Sequence, residues 1–167
     1  IKKSAYPQLS LSPFGGIMFP VAKLSDNFKP GGSVGLDLSY KVNKEVGFFA
    51  KFGYDFFRSK TSGVPDGRFF EYTAGPRYYF TSKNLKSSKF LEAGIGAYTF
   101  NQHGYLMEGT AYPEVSYTKF GYNAGIGAVL NLGRDIDLLF KTQYNTIMTE
   151  DGSSSYITPL LGIDVRF

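Results

Sequence analysis

Few residues in this chain of 167 amino acids could carry out catalysis. It contains a single histidine, His103, and no cysteine, which excludes disulfide frameworks and thiolate metal sites. One histidine and scattered carboxylates lack the ligand spacing of a metal site, and phosphate-loop and dinucleotide glycine patterns are absent. We therefore predict that the protein is not an enzyme and has no cofactor or metal.

A second set of reactive groups consists of charged residues at alternate positions of short apolar segments. Alternate side chains of a strand point to the same face, so these charges would share one face of a sheet. The twelve are Asp37, Lys41, Lys51, Asp55, Glu71, Arg77, Glu92, Lys119, Asp137, Lys141, Asp164 and Arg166. Acidic and basic members are equal in number, as expected for charges that neutralise one another where water is scarce.

Eight segments show this alternation, each bounded by turn-forming residues. They are Leu9–Phe19, Val34–Val42, Val46–Phe56, Phe70–Phe80, Leu91–Ala97, Phe120–Leu132, Ile136–Met148 and Ile157–Phe167. An even number of strands, each long enough to cross a tilted bilayer, is what a closed transmembrane barrel requires. The pattern predicts one domain over residues 1–167, an all-β, eight-stranded antiparallel up-and-down transmembrane β-barrel.

The two faces of these strands decide between a soluble barrel and a membrane barrel. The apolar parity carries no charge within the eight segments, whereas the charged parity is rich in glycine. Dense glycine suits a narrow interior crowded by large side chains better than a hydrated exterior. We therefore expect the apolar parity to face lipid and the twelve charges to form a network in a plugged lumen.

The connections alternate between short and long. Asn43–Glu45 and Gly133–Asp135 are tight turns, and Ser82–Ser88 joins this set. The longer connections are Val21–Pro30, Arg58–Arg68, Asn101–Ser116 and Glu150–Ser155. Outer-membrane barrels place short turns in the periplasm and long loops outside. Both termini should then be periplasmic, and the chain is expected to be the mature form of an exported protein.

The chain resembles the small eight-stranded barrels of the Gram-negative outer membrane, typified by the OmpA transmembrane domain and OmpX, with OmpW-like and opacity-protein-like barrels as relatives. The resemblance rests on strand number, alternation, loop asymmetry and the terminal aromatic residue. It implies that Phe167, with Val165 and Ile163 on the same parity, is an assembly signal read by the barrel assembly machinery.

Two enzymes of this architecture, a deacylase and a palmitoyl transferase acting on lipid A, each depend on a His with a nearby Ser. Tyr105 stands where the deacylase would have its Ser, although Ser116 or Ser153–Ser155 could approach His103 in space. A lone loop histidine is far more often simply solvated, so we predict no catalysis.

Function must then come from the lumen or the loops. Bulky residues of inward parity, including Phe14, Phe49, Tyr79 and Tyr98, should occlude an eight-stranded lumen. Glycine pairs at 94 and 96 and at 125 and 127 could instead leave a pocket for a small hydrophobic molecule, as an OmpW-like carrier needs, or make room for large side chains. The occluded interpretation predicts a structural or interaction protein.

The loops offer two kinds of contact. Basic residues Lys23, Lys29, Arg58, Lys60 and Arg68 could bind lipopolysaccharide phosphates, or could be ordinary solvated charges. Tyr105, Leu106, Met107 and Tyr112 form more apolar surface than a free loop needs, which suggests a protein contact or a folded loop. The expected partners are outer-membrane lipid and lipopolysaccharide, and no nucleic-acid partner is expected. An alternative is that the chain is an accessory subunit of a larger outer-membrane complex and contacts another outer-membrane protein.

The turn at Asn43–Glu45 makes one interior contact predictable. Counting back from Val42 and Val46 places Asp37 opposite Lys51, and both have inward parity. The sequence therefore predicts that Asp37 and Lys51 form an interior ion pair.

Overall fold

The computed structural model describes residues 6–81, 87–133, 135–150 and 152–167. The predicted turn Ser82–Ser88 lies largely outside the described residues, as does Arg134 of the turn Gly133–Asp135. Within the described ranges, no helix is long and apolar enough to span a bilayer.

Eight long strands close into an antiparallel barrel, which confirms the predicted fold class. The strands are β1 (Gln8–Val21), β2 (Gly31–Lys41), β3 (Val46–Phe57), β4 (Gly67–Thr81), β5 (Ser87–Gln102), β8 (Val115–Asn131), β9 (Ile136–Thr149) and β10 (Gly152–Arg166). Around the barrel their order is β1, β10, β9, β8, β5, β4, β3, β2. Neighbours in this order are consecutive long strands of the chain, except for the closing pair β1 and β10, so the topology is up-and-down.

Three further elements lie at the long-loop end. A short helix, α1 (Lys23–Asn27), follows β1, and a small hairpin of β6 (Tyr105–Met107) and β7 (Thr110–Tyr112) lies between β5 and β8. The third connection is therefore more ordered than predicted, because β5 and β8 remain paired as far as Gln102 and Val115.

The predicted fourth loop, Glu150–Ser155, is wrong. Strand β10 begins at Gly152, and Ser153 and Ser155 pair with Met148 and Thr146 of β9. Small hydroxyl side chains do not interrupt a strand ladder. Gly152, with a φ of 131°, supplies a backbone conformation that other residues rarely adopt, so the connection closes within two residues.

The outer surface carries the apolar parity. Large hydrophobic side chains of all eight strands are exposed there, from Leu9 and Ile17 in β1 to Leu161 and Ile163 in β10. An apolar belt of this kind matches hydrocarbon rather than water. The core of the protein therefore lies inside the barrel, where the opposite parity packs.

Candidate functional site

An ion-pair network fills the middle of the lumen. The Arg77 guanidinium donates to both oxygens of Asp37 at 2.9 and 3.0 Å, and its Nε donates to Glu92 Oε2 at 2.7 Å. The Lys141 ammonium lies 2.5 Å from Asp37 Oδ2 and 3.0 Å from Glu92 Oε1. These four side chains are at most 2% exposed, so the two cations and two carboxylates neutralise one another without bulk water.

The predicted pairing of Asp37 with Lys51 is half right. The register is confirmed, since the two residues are Cα partners across β2 and β3. The ion pair is wrong, because the Lys51 ammonium donates to Glu71 Oε2 at 2.8 Å and to Gln143 Oε1 at 2.7 Å. In a narrow lumen a long cation reaches other strands. Asp37 instead accepts hydrogen bonds from Arg77 Nη2, at both of its oxygens, and from the Lys141 ammonium.

Polar side chains extend the network toward the loop end. Gln143 contacts both groups of charges, since its Nε2 donates to Glu92 Oε1 at 2.9 Å. The Tyr156 hydroxyl lies 3.0 Å from Asp55 Oδ2 and 3.3 Å from Glu71 Oε2. A continuous chain of contacts thus runs from β2 across the lumen to β10.

The twelve predicted lumen charges fall into two groups. Those at most 7% exposed are Asp37, Lys51, Asp55, Glu71, Arg77, Glu92, Asp137, Lys141 and Asp164. The others, Lys41, Lys119 and Arg166, are only partly buried. Lys119 in particular is not part of the central network, because its ammonium pairs at 2.6 Å with the exposed Glu150 at the loop end.

The end with the tight turns holds a polar cavity of about 180 Å³. Within it the Lys41 ammonium lies 3.8 Å from the centre of the Tyr79 ring, and Arg166 pairs with Asp137 at 3.2 Å. Tyr79 packs with Phe90 and other buried side chains at the inner end of this cavity. The cavity therefore lies inside the barrel, at the end of the lumen with the tight turns.

The loop end is sealed by apolar residues, of which the inward parity predicts Phe57, Tyr98 and Phe100 but not the others. The cluster contains Met18, Leu24, Phe57, Phe69, Tyr98, Phe100, Ile147 and Tyr156, with Phe28 packed against it. Phe69 has the inward parity of Glu71 in β4, and Tyr156 has that of Thr158 in β10. Extending the alternation of each strand by two residues therefore predicts both rings. Leu24 comes from α1, which the periodicity of the strands does not predict.

The interior glycines make room for rings. A Cβ on Gly94 would lie 2.7 Å from Phe49 Cζ, and one on Gly127 would lie 2.3 Å from Phe90 Cζ. Gly94 and Gly127 thus accommodate aromatic rings. A Cβ on Gly96 would instead meet Tyr72 O at 1.9 Å and one on Gly125 would meet Gln143 Cγ at 2.9 Å, so protein atoms fill the space beside all four glycines.

Two of the serines considered as partners of the histidine bond to other residues. His103 is exposed between β5 and β6. The Ser116 hydroxyl donates to Asn101 Oδ1 at 2.8 Å, and the Ser155 hydroxyl is hydrogen-bonded to that of Thr146. Within the described ranges, no group of three or more His, Cys, Asp or Glu side chains could hold a metal ion.

The first two long loops are joined to each other. The backbone N–H of Lys29 donates to Arg58 O at 2.8 Å, and that of Lys60 donates to Asn27 O at 2.9 Å. Phe28 packs edge-on against Phe57, with 4.4 Å between ring centres. Three exposed cations, Lys29, Arg58 and Lys60, therefore belong to joined loops. Together with the exposed Lys23 of α1 and Arg68 of β4 at the same end, they are here called the basic ridge.

The third loop presents aromatic residues on the β6–β7 hairpin. Tyr105 and Tyr112 stack with 4.8 Å between ring centres, and Met107 is partly buried. Leu106 is 75% exposed and Tyr117, in β8, is 38% exposed. The hairpin is thus folded but keeps an uncovered apolar side.

Comparison with known proteins gives matches only at the level of structure. No family model and no curated protein matches the sequence. Neisserial surface protein A superposes with a TM-score of 0.72 at 15% identity, covering 95% of this chain and 97% of that one. Ail of Yersinia pestis, crystallised with the heparin analogue sucrose octasulfate, gives 0.57 at 21% identity over 98% and 100% of the two chains. The outer-membrane protein AlkL gives 0.59 at 14% identity over 100% and 94%.

The chain has the fold of the small eight-stranded outer-membrane barrels. In this outer-membrane barrel fold, the last strand closes the cylinder. The N–H of Phe167 donates to Leu9 O at 2.9 Å, next to the pairing of β10 with β1. Ile163 and Phe167 are exposed on the outer face, and Val165 is partly exposed between them.

Proposed function

We propose that the protein is a non-enzymatic, integral barrel of the bacterial outer membrane that recognises anionic groups through its basic ridge. The observation that carries this proposal is the filled lumen. Because charges and rings fill the middle of the lumen, we place the recognition of soluble and headgroup anions on the exposed cations of the loop end.

The arrangement of charges at the loop end supports an anionic ligand. No ion pair within the described residues involves Lys29, Arg58 or Arg68, and all three are exposed. The hydrogen bonds between the two loops fix their backbones before a ligand arrives, which reduces the entropic cost of binding. Phosphates of lipopolysaccharide are the anions closest to this surface in an outer membrane, and the complex of Ail with sucrose octasulfate is an example of a polyanion held by the same fold.

The proposed orientation places the tight turns and both termini in the periplasm, as in other outer-membrane barrels. The chain has no cysteine, so single engineered cysteines report position without interference. A bulky thiol reagent added to intact cells should label Gly109→Cys, at the tip of the β6–β7 hairpin, and should not label Lys44→Cys. Labelling with the opposite preference would invert the barrel.

The proposed assembly route uses the terminal aromatic residue and the barrel assembly machinery. Deleting Phe167 removes the last outward aromatic side chain of the closing seam. We expect less heat-modifiable, folded barrel in the membrane fraction than for the wild type, at equal synthesis. An unchanged folded fraction would argue against Phe167 as an assembly signal.

Binding to the basic ridge can be measured directly on the purified barrel. Sucrose octasulfate and, separately, lipopolysaccharide vesicles serve as probes at low salt. Each cation near an anionic surface contributes about 1 kcal/mol, so Lys29→Gln combined with Arg58→Gln should weaken binding roughly thirtyfold. Lys44→Gln, which removes an exposed lysine at the opposite end, is the matched control and should bind normally. The proposal fails if the wild type binds neither probe, or if the double variant binds as well as the control.

A second candidate function is that of an accessory subunit. The uncovered side of the β6–β7 hairpin, with Leu106 and Tyr112 exposed, supports contact with another outer-membrane protein. Extraction in mild detergent should then give a complex heavier than the 18.5 kDa barrel, and Leu106→Asp should release the barrel as a monomer. A monomer from the wild type would exclude a stable complex.

A further inference from the structure

The described outer wall of the barrel has a broad, open apolar groove that none of the features above explains. It lies across β4, β5, β8 and β9 in the half of the barrel nearer the tight turns, with a volume of about 420 Å³. Its walls are the side chains of Phe80, Leu91, Ile126 and Phe140, which are between 43 and 61% exposed. Its floor contains Gly127 and Ala128.

The groove follows from small residues placed among large ones. Ala128 points outward between bulky neighbours, and Gly127 has no side chain because the Phe90 ring occupies its inner side. The wall of the barrel is therefore thin at this point. The result is a groove lined by apolar side chains on the lipid-facing surface, where hydrocarbon chains surround the barrel.

Two lysines line the groove, and only one of them is exposed. The other, Lys141, is buried and pairs with Asp37 and Glu92 in the lumen. Lys89 is exposed, lines the groove, and is the Cα partner of Phe80 on one side and of Ala128 on the other. It has outward parity, which the sequence reasoning missed because its fifth strand began only at Leu91. Among the described strand residues, Arg68 is the other charge of outward parity, and it lies at the opposite rim.

A lysine on the lipid-facing side of a barrel is unfavourable unless its ammonium reaches the headgroup region. Within the described part of the chain, Lys89 has no ion-pair partner. A lipid phosphate at the membrane surface would supply the missing anion, and its acyl chain would enter the adjoining groove. The two halves of the site thus match the two halves of one phospholipid.

We propose that this groove is a binding site for one anionic glycerophospholipid of the leaflet at the tight-turn end, with the phosphate on Lys89 and an acyl chain over Gly127 and Ala128. The site is independent of the basic ridge, since it lies in the opposite half of the barrel and uses different residues.

The absence of tryptophan from the chain allows a direct test. Ile126→Trp places a single fluorophore at the groove. Leu36→Trp is the matched control, because it is also outward, also five residues from the end of its strand, and on β2, diametrically opposite β8. Each variant is reconstituted in phosphatidylcholine bilayers that contain a small fraction of phosphatidylglycerol with brominated chains, which quench tryptophan on contact.

We expect about fivefold enrichment of the brominated anionic lipid at Ile126→Trp over Leu36→Trp, the effect of one lysine beside an anionic headgroup. Adding Lys89→Gln should remove this preference, whereas Lys44→Gln, which removes an exposed lysine at the same end of the barrel but outside the groove, should retain it. Adding Ala128→Phe fills the groove and should lower quenching by brominated phosphatidylcholine as well. Equal quenching at the two positions, or a preference that survives Lys89→Gln, would overturn the proposal. Heat modifiability on gels verifies that each variant is folded.

Discussion

The lumen and the loop end use the same charged residue types in opposite ways. In the lumen, Arg77 and Lys141 are buried against carboxylates at hydrogen-bonding distance, so each charge is neutralised within the protein. On the basic ridge, Arg58 and Lys29 are exposed and are ordered through their backbones rather than their charges. Burial makes the first set structural, while exposure leaves the second set available to a ligand.

The largest difference between the two regions should appear in the free energy of unfolding, when one cation is removed from each. Arg77→Met leaves Asp37 and Glu92 with fewer counter-charges in a dry interior, and we expect a loss of about 3–5 kcal/mol in the free energy of unfolding. Arg58→Met on the basic ridge should change it by no more than about 0.5 kcal/mol. Urea unfolding from lipid vesicles measures both, and equal effects would erase the distinction between the two regions.

A substitution in the aromatic cluster at the loop end tests whether the same residues determine the stability of the barrel and block ion conduction through its lumen. Phe69→Ala removes a buried ring that packs against Phe57, Phe100 and Tyr156, and it should cost about 3 kcal/mol. We expect no stable unit conductance in a planar bilayer, because the ion-pair network still fills the lumen below the cluster. A steady conductance in this variant would show that the rings alone close the barrel.

The pairing within the lumen can be resolved by double-mutant cycles. Lys51→Met and Glu71→Gln should together destabilise the barrel less than the sum of the single changes, with a coupling of about 2 kcal/mol. Lys51→Met combined with Asp37→Leu is the control, and its coupling should be far smaller because these side chains bond to other partners. A stronger coupling with Asp37 would restore the pairing predicted from register.

The smallest effect on stability is expected at the exposed pair of the loop end, where Lys119 donates to Glu150. This hydrogen bond lowers the pKa of the Glu150 carboxyl. A lowered acid pKa stabilises the folded state above the ordinary glutamate pKa of about 4.3, and the contribution is lost as pH falls through the folded value. Carbon-13 NMR titration should show the pKa of Glu150 returning to its ordinary range in Lys119→Gln, without a measurable change in the urea midpoint. An unmoved pKa would mean that the pair does not form in solution.

The fold was predictable because alternation is a local property of the chain. Each strand shows its two faces within about ten residues, and the turn at Asn43 fixes the register of Asp37 against Lys51. The bonding partners were not predictable in the same way. Whether Lys51 meets Asp37 or Glu71 depends on the curvature of the closed barrel and on the reach of side chains across it, which no single hairpin contains.

The loop end shows a second limit of sequence reasoning. The basic residues of the ridge were identifiable by type, but the backbone hydrogen bonds between Lys29 and Arg58 join segments whose conformation follows no period. Ser153 to Ser155 predict a loop because serine is typical of turns, yet these residues extend β10. Lys89 was overlooked for the converse reason, since its strand begins before the apolar alternation does.

The cross-lumen contacts also bear on how long the barrel persists once it is made. Lys141 meets Asp37 across 104 residues of sequence, and Tyr156 meets Asp55 across 101. Such bonds cannot form before the cylinder has closed, so they are absent from an early, open transition state of insertion. Interactions that form after the barrier slow the reverse reaction rather than speeding the forward one. The buried charges should therefore lower the rate at which the inserted barrel unfolds, so that it stays folded on the timescale of cell growth.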